Sequence, residues 1–318
     1  MIKRLKNDKM IDLNKVKTYS LKQRFSKVEK SALAKVSAKG ASFRSFYKGL
    51  PEILRASDFK KVVDAVIAAR KKHKPVIFMM GAHVIKCGLS PLVIDLLKKK
   101  IISAVALNGA GVIHDFELAY QGKTSEDVAF ALKSGSFGMS REPAEFINKA
   151  VTDGVQDGLG FGKSVGRAIA RGGCKYKRDS ILYNCYKEGI PVSVHVAIGT
   201  DIIHQHPSFE ASSAGEGSQR DFLLLVSSVA RMGNGGVILN FGSAVILPEV
   251  FLKALNLARN LGYKVHNFTA ANFDMIYHYR PNVNVVTRPT EGSGKGYYII
   301  GHHEIMLPLL YQAVIEES

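Results

Sequence analysis

The chain predicts an α/β fold, a Rossmann-like parallel sheet with helices on both faces, and three observations carry that expectation. Short apolar runs bounded by Gly or Pro alternate with longer segments of helical spacing at least five times. The runs are continuously apolar, as strands covered on both faces must be. Several of them stop abruptly at turns rich in Gly, His, Asp and Asn. In an open parallel sheet, ligands sit at the carboxyl ends of strands, so these turns are where function is expected.

At 318 residues and 46% hydrophobic content the chain is long enough to bury a full core. No apolar run reaches membrane-spanning length, and Met1-Ile2-Lys3-Arg4-Leu5-Lys6 has no apolar stretch behind its charges. A cytoplasmic protein with no membrane association is expected. Cys87, Cys174 and Cys185 show no C-x-x-C spacing, which fits a reducing compartment and points away from structural zinc.

Lys and Arg outnumber Asp and Glu by 44 to 27, a net charge of +17. Much of the excess lies in residues 1–48, where Asp8, Asp12 and Glu29 are the only acids. Residues 1–50 are read as a basic N-terminal arm that packs on a neighbouring subunit, and 51–318 as one α/β domain. Few aromatics interleave with the arm's charges and no nucleic-acid-binding signature is present, so nucleic acid is not an expected partner.

Taken in order, Ser57–Lys72 carries Phe59, Val62, Val63, Val66 and Ile67 at helical spacing. Pro75–Met80 is a buried strand feeding the turn Gly81-Ala82-His83. Leu89–Lys99 is helical and ends in lysines, favourable at the negative end of a helix. Ile101–Leu107 is the next strand. It runs into Asn108-Gly109-Ala110-Gly111-Val112-Ile113-His114-Asp115, which approaches G-x-G-x-x-G with His114 in place of the third glycine.

Glu142–Ala170 reads as helix interrupted by glycines. Its Gly158–Ser164 segment is one residue short of a P-loop and follows a helix, so no phosphate loop is expected there. Ser180–Lys187 is helical, and Val192 begins a strand that releases Gly199-Thr200-Asp201 and His204-Gln205-His206. Further on come a helix over Asp221–Arg231 and a strand over Gly235–Asn240 broken by Phe241-Gly242-Ser243. A helix over Pro248–Leu261, a strand over Lys264–Phe268 followed by Thr269–Asp274, and a closing helix over Glu304–Glu316 complete the reading.

Gly81–Gly88, Asn108–Asp115, Gly199-Thr200-Asp201 and Thr269–Asp274 followed by Arg280-Pro281, with Leu307–Leu310 as a shorter echo, resemble the deoxyhypusine synthase family in order and interval. The resemblance covers residues 75–318. It implies a Rossmann-like NAD domain in a homotetramer with active sites between paired subunits. Matching positions imply NAD contacts from Gly109, Asp201, Gly242, Thr269, Ala270 and Asp274, joined in the same stretches by His83, Asn108 and Ser243. A carboxylate at a strand end can accept ribose hydroxyls, and glycine turns admit a pyrophosphate; Asp201 and Asp274 can equally cap helices.

The departures fall on the substrate side. Where the family holds a polyamine with carboxylates, this chain has His206 and Val283, and Pro289 stands where the imine-forming lysine belongs. Leu247, Thr287 and His302 replace a histidine, an aromatic and a carboxylate. Arg288 cannot form the imine, because a Schiff base needs a neutral amine; Lys295 is the candidate replacement. His206 and His114 are the candidates for proton transfer. A metal held by His204 and His206 with Asp115 or Asp201 is geometrically conceivable but matches no metal motif, and none is expected. With Arg280, Arg288 and Lys295 nearby, a neutral or anionic small-molecule substrate is expected. The leading reading is an NAD-dependent transferase or oxidoreductase of deoxyhypusine synthase-like fold. The alternatives are an inactive nucleotide sensor and a true aminobutyl transferase using Lys295.

Overall fold

The computed structural model describes residues 10–318. Lys3, Arg4, Lys6 and Lys9 of the expected arm lie outside the described residues. Residues 10–42 make only 3-10 turns at Leu13–Lys15, Leu21–Gln23 and Lys30–Ala32, and they expose nearly every side chain.

From there the chain runs α1 (Phe43–Gly49), α2 (Leu54–Lys71), β1 (Val76–Met80), α3 (His83–Lys86), α4 (Ser90–Lys98), β2 (Ala104–Asn108) and α5 (Gly109–Gln121). Next come α6 (Val128–Ser134), α7 (Arg141–Gln156), α8 (Phe161–Arg171), α9 (Ile181–Glu188) and β3 (Val192–His195). The remainder is α10 (Ala211–Val229), β4 (Val237–Phe241), α11 (Ile246–Asn260), β5 (Thr269–Asp274), α12 (Tyr279–Pro281), β6 (Lys295–Ile300) and α13 (His303–Glu317). After α12 the helix continues irregularly through Asn282–Thr287 and Arg288–Thr290.

All six strands are parallel, in the order β3-β2-β1-β4-β5-β6. This is the doubly wound arrangement, with its topological switch between β1 and β4. Because side chains alternate along a strand, each strand feeds two cores. Val76, Phe78, Met80, Leu107, Val194, Leu239, Phe241 and Phe273 pack under α2, α4, α5, α7, α8, α9 and α13. Ile77, Met79, Ala106, Ile238, Ala270 and Tyr298 pack under α10, α11 and Val285-Val286. Phe241 stacks between Phe78 and Phe273 at centroid distances of 5.1 and 4.4 Å, tying β1, β4 and β5 together. Each such buried ring contributes about 1.5–3 kcal/mol.

The fold class agrees with the sequence; the elements near β5 and β6 do not. Lys264–Phe268 is not a strand, because Asn267 adopts a left-handed backbone, φ 54°. The strand is Thr269–Asp274, so Thr269 and Ala270 begin β5 where they were expected to follow a strand's end. Lys295 begins β6, a strand hidden in the sequence behind Gly292, Gly294 and Gly296. The helix expected from Asp221 starts at Ala211.

Candidate functional site

At the switch point the ends of β1 and β4 meet through two glycines. A Cβ on Gly81 would stand 2.4 Å from the carbonyl oxygen of Gly242. Gly242 has φ 65°, and a Cβ there would stand 2.6 Å from His303 Nε2. Neither position tolerates a side chain, and the resulting notch brings together the polar ends of β4 and β5 and the start of α13.

Asn240 and Asn272 sit side by side in register on β4 and β5. Asn240 Nδ2 donates to Asn272 Oδ1 at 2.6 Å and to the Ser243 carbonyl at 2.9 Å. Asn240 Oδ1 and Asn272 Nδ2 are left without partners, although both residues are fully buried. Asp274 closes β5: its Oδ1 accepts the Met275 N–H at 2.8 Å and lies 3.8 Å from His278 Nε2, while its Oδ2 has no partner. His303 opens α13 buried, its Nδ1 also without a partner. Its ring centroid lies 5.7 Å from that of His83. Burial lowers the pKa of His303, with Asp274 opposing and His83 reinforcing the shift, so the ring is neutral near pH 7. Ser243 Oγ accepts the Leu247 N–H at 3.2 Å and caps the first turn of α11.

An unsatisfied buried polar group costs about 1–3 kcal/mol. Asp274 Oδ2 and His303 Nδ1 are thus open at the strand ends, with Asn240 Oδ1 and Asn272 Nδ2 on the α11 face of the sheet, and a polar ligand would offset that cost.

The turns after β2 and β3 form a second group. These strand ends stand about 14 Å (β2) and about 19 Å (β3) from β5 at ordinary strand spacing. Asn108 Oδ1 accepts the Gly111 N–H at 3.0 Å and caps α5. Asp201 lies against Gly109 so closely that a Cβ there would be 2.0 Å from Asp201 Oδ2. Burial raises the Asp201 pKa to about 6, and the hydrogen bond from the Ala110 N–H partly opposes this. The positive end of α5 is therefore met by the chain's own carboxylate. His204 Nδ1 accepts the Gly199 N–H at 3.1 Å, and its Nε2 faces Asp201 Oδ2 at 3.9 Å; neither of those two atoms has a hydrogen bond.

Of the expected cofactor positions, the structure thus gathers His83, Gly242, Ser243 and Asp274 at one notch and Asn108, Gly109 and Asp201 at another. Thr269 and Ala270 are not brought to either. They start β5, with Thr269 aligned to Lys295, about 16 Å along the strand from Asp274. Lys295 therefore stands at the opposite edge of the sheet and cannot serve as an imine-forming lysine beside Asp274 within one chain. His114 is turned to Thr124, 2.6 Å away, and to Glu117. His206 is half-buried and bonds Ser208 at 2.8 Å. Neither ring reaches the Asp274 notch. Asp115 is fully buried and holds Ser180 and the first turn of α9, so it takes no part in a set with His204 and His206. Among the described residues no group of three or more His, Cys, Asp or Glu is placed to hold a metal.

Sequence reasoning passed over His303, Asn240 and Asn272. The asparagines carried a usable signal, since each is a lone amide inside an otherwise apolar strand.

No family model and no curated protein matches the chain's sequence. Its fold is similar to that of a proposed deoxyhypusine synthase from Entamoeba histolytica, at 9% identity over 87% of this chain and 94% of that one, TM-score 0.51. It is also similar to AgrE, solved as a ternary complex with ornithine and NAD+, at 14% identity over 82% of this chain and 33% of that one, TM-score 0.50. ArgZ, an arginine dihydrolase of the cyanobacterial ornithine–ammonia cycle, matches at 17% identity over 82% of this chain and 32% of that one, TM-score 0.48. The chain spans about a third of the length of AgrE and ArgZ. These likenesses are of fold. Among the described residues no helix is long and apolar enough to cross a membrane.

Proposed function

We propose that the notch between β1, β4 and β5 binds a dinucleotide of NAD type, and that the chain is an enzyme acting there on a small molecule other than a polyamine. The observation that carries the reading is the set of buried atoms without partners: Asn240 Oδ1, Asn272 Nδ2, Asp274 Oδ2 and His303 Nδ1. They supply acceptors and a donor at the switch point of a doubly wound sheet, where ligands of such folds sit. Asp274 would accept ribose hydroxyls, and the Gly242-Ser243 turn at the start of α11 would approach phosphate closely. Asp201 accepts the Ala110 N–H at the start of α5, and its Oδ2 is, like that of Asp274, left without a partner. A nicotinamide dinucleotide, when bound, supplies a hydride acceptor. The chain's own part is to orient the substrate and to take a proton at the neutral, buried imidazole of His303, in place of His114 or His206.

Titration calorimetry with NAD+ tests the reading. Binding is expected, weakened at least about tenfold by Asp274→Asn, which removes a charged hydrogen-bond acceptor. No heat at millimolar NAD+, or equal binding by the variant, would sink it. A second reading, a nucleotide sensor without catalysis, follows from Lys295 standing at the opposite end of the strands from Asp274. Bound NAD+ that no amine or alcohol reduces would select it.

A further inference from the structure

The sheet's other edge carries a different chemistry. A cleft of about 1030 Å³ opens where β1, β2 and β3 begin, roofed by apolar Ile67, Pro75, Ile101 and Pro191. Arg70, Lys71, Lys72 and Lys74 line it from the end of α2 and the turn into β1. Lys99 and Lys100 come from the end of α4, and Arg231 from beyond α10. No Asp or Glu side chain lines the cleft, and Ser318 stands at its rim. Among the described residues only Lys99 of these cations is in an ion pair, with Asp95 at 2.8 Å.

The ends of α2, α4, α9 and α10 carry about half a negative charge each, which accounts for about two of the cations. The remainder have no such explanation. A second observation concerns the backbone. His73 and Lys100 follow the ends of α2 and α4 with φ of 52° and 55°. Glycine is the unstrained residue in that conformation, and here a basic side chain stands in its place on both sides of the cleft. Strain tolerated at two matching positions points to a use for the side chains.

We propose that this cleft binds a single nucleic-acid strand through its phosphodiester backbone. The cations are spread across loops serving the adjacent strands β2, β1 and β4, about 10 Å in all. That distance matches roughly three phosphates at ~3.4 Å each. All but the half-buried Lys74 are exposed, and no buried donor fixes a small ligand in one pose. Aromatic side chains are missing from the lining, so bases are not stacked and binding is independent of sequence. A cleft this size admits a strand but not a duplex. The charge is scattered along the sequence through residues 70–74, 99–100 and 231, and only the fold assembles it.

Fluorescence anisotropy of the full chain with labelled oligouridylate, from about 50 to 200 mM salt, tests the proposal. The logarithm of affinity is expected to fall against log salt with a slope of about −2, from roughly three phosphates at ~0.7 each. The variant Lys72→Ala, Lys74→Ala, Lys100→Ala, Arg231→Ala is expected to lose more than about tenfold in affinity and most of that slope. Neutralising Lys15, Lys17, Lys22 and Arg24 of the arm is expected to change neither. The pair His73→Gly, Lys100→Gly guards against a trivial loss of folding: it is expected to melt at or above the parent temperature and still bind more weakly. The proposal is overturned if the cleft variants bind as the parent does, if binding follows the arm, or if polyglutamate competes as well as nucleic acid.

Discussion

Three buried aspartates are structural for a common reason: each accepts hydrogen bonds at a distant helix start. Asp115 accepts from Ile181 N–H at 2.7 Å and Leu182 N–H at 3.2 Å in α9, and Asp201 holds Ala110 in α5. Asp221 accepts from Gly162 N–H of α8 and from Val194 N–H of β3, both at 2.8 Å. Burial pushes their pKa values up to about 6, about 6 and about 7, against opposing hydrogen bonds. A carboxyl raised above its unfolded value binds more protons in the folded state. Its stabilising contribution is therefore complete below about pH 4 and is lost as pH rises through 6–7. Buried His195, with its pKa lowered to about 4, acts in the opposite sense below its unfolded value. Comparing the parent with Asp221→Asn isolates the aspartate. The variant is expected to gain stability relative to the parent between pH 5 and pH 8, by an amount on the order of a few kcal/mol. Melting temperatures measured across that range check it; parallel curves would mean that Asp221 does not titrate there.

At the scale of elements, glycines decide how closely α8 approaches its neighbours. A Cβ at Gly162 would stand 2.8 Å from the Val192 carbonyl oxygen of β3, and one at Gly166 would stand 2.5 Å from the Leu182 carbonyl oxygen of α9. Gly162 and Gly166 thus serve helix packing, while a Cβ on Gly160 would meet the Asp221 carboxylate and Gly158 takes a left-handed turn, φ 77°. Gly166→Ala is expected to destabilise by about 1–3 kcal/mol, since backbone cannot yield as a flexible side chain does. Gly215→Ala, in exposed α10 with nothing within 4 Å of the added carbon, is expected to stabilise by about 0.5–1 kcal/mol. Denaturant unfolding of both variants measures the contrast. The same scale explains what was legible beforehand. Strands β1, β2 and β4 are apolar throughout their buried lengths apart from terminal or lone amides, so periodicity located them. In β5 the site's own Asn272 and Asp274 break the apolar run, and the preceding Val265–Phe268 offered a more strand-like pattern. The polar residues that form the candidate site therefore concealed the strand presenting them, and the error carried Thr269, Ala270 and Lys295 to the wrong edge. Gly242, Ser243 and His83 follow strand ends that were placed correctly, and Asp274 ends β5 beside them.

Across the whole molecule, the two edges of the sheet divide the surface chemistry. The edge where strands begin is basic, while the edge around Asp274 is rimmed by large apolar side chains. Met275, Ile276, Tyr277 and Tyr279 follow β5, Ile300 ends β6, and Ile305 lies in the first turn of α13; all are exposed. Single exposed apolar residues are ordinary, but six of them near the ends of β5 and β6 offer a surface on which a partner could pack. We propose that a second copy of the chain covers this rim and excludes water from the notch around Asp274 and His303. Light scattering on the eluting protein is expected to give a tetramer's mass. Replacing Ile276 and Ile305 together by Glu is expected to lower that mass and weaken NAD+ binding, while leaving the far-ultraviolet circular dichroism unchanged. Because both side chains are exposed within the chain, the substitutions leave its own core intact, and a lost assembly would report on the rim. A parent protein that stays monomeric at every concentration would remove the interface, leaving the notch to bind its ligand from one chain alone.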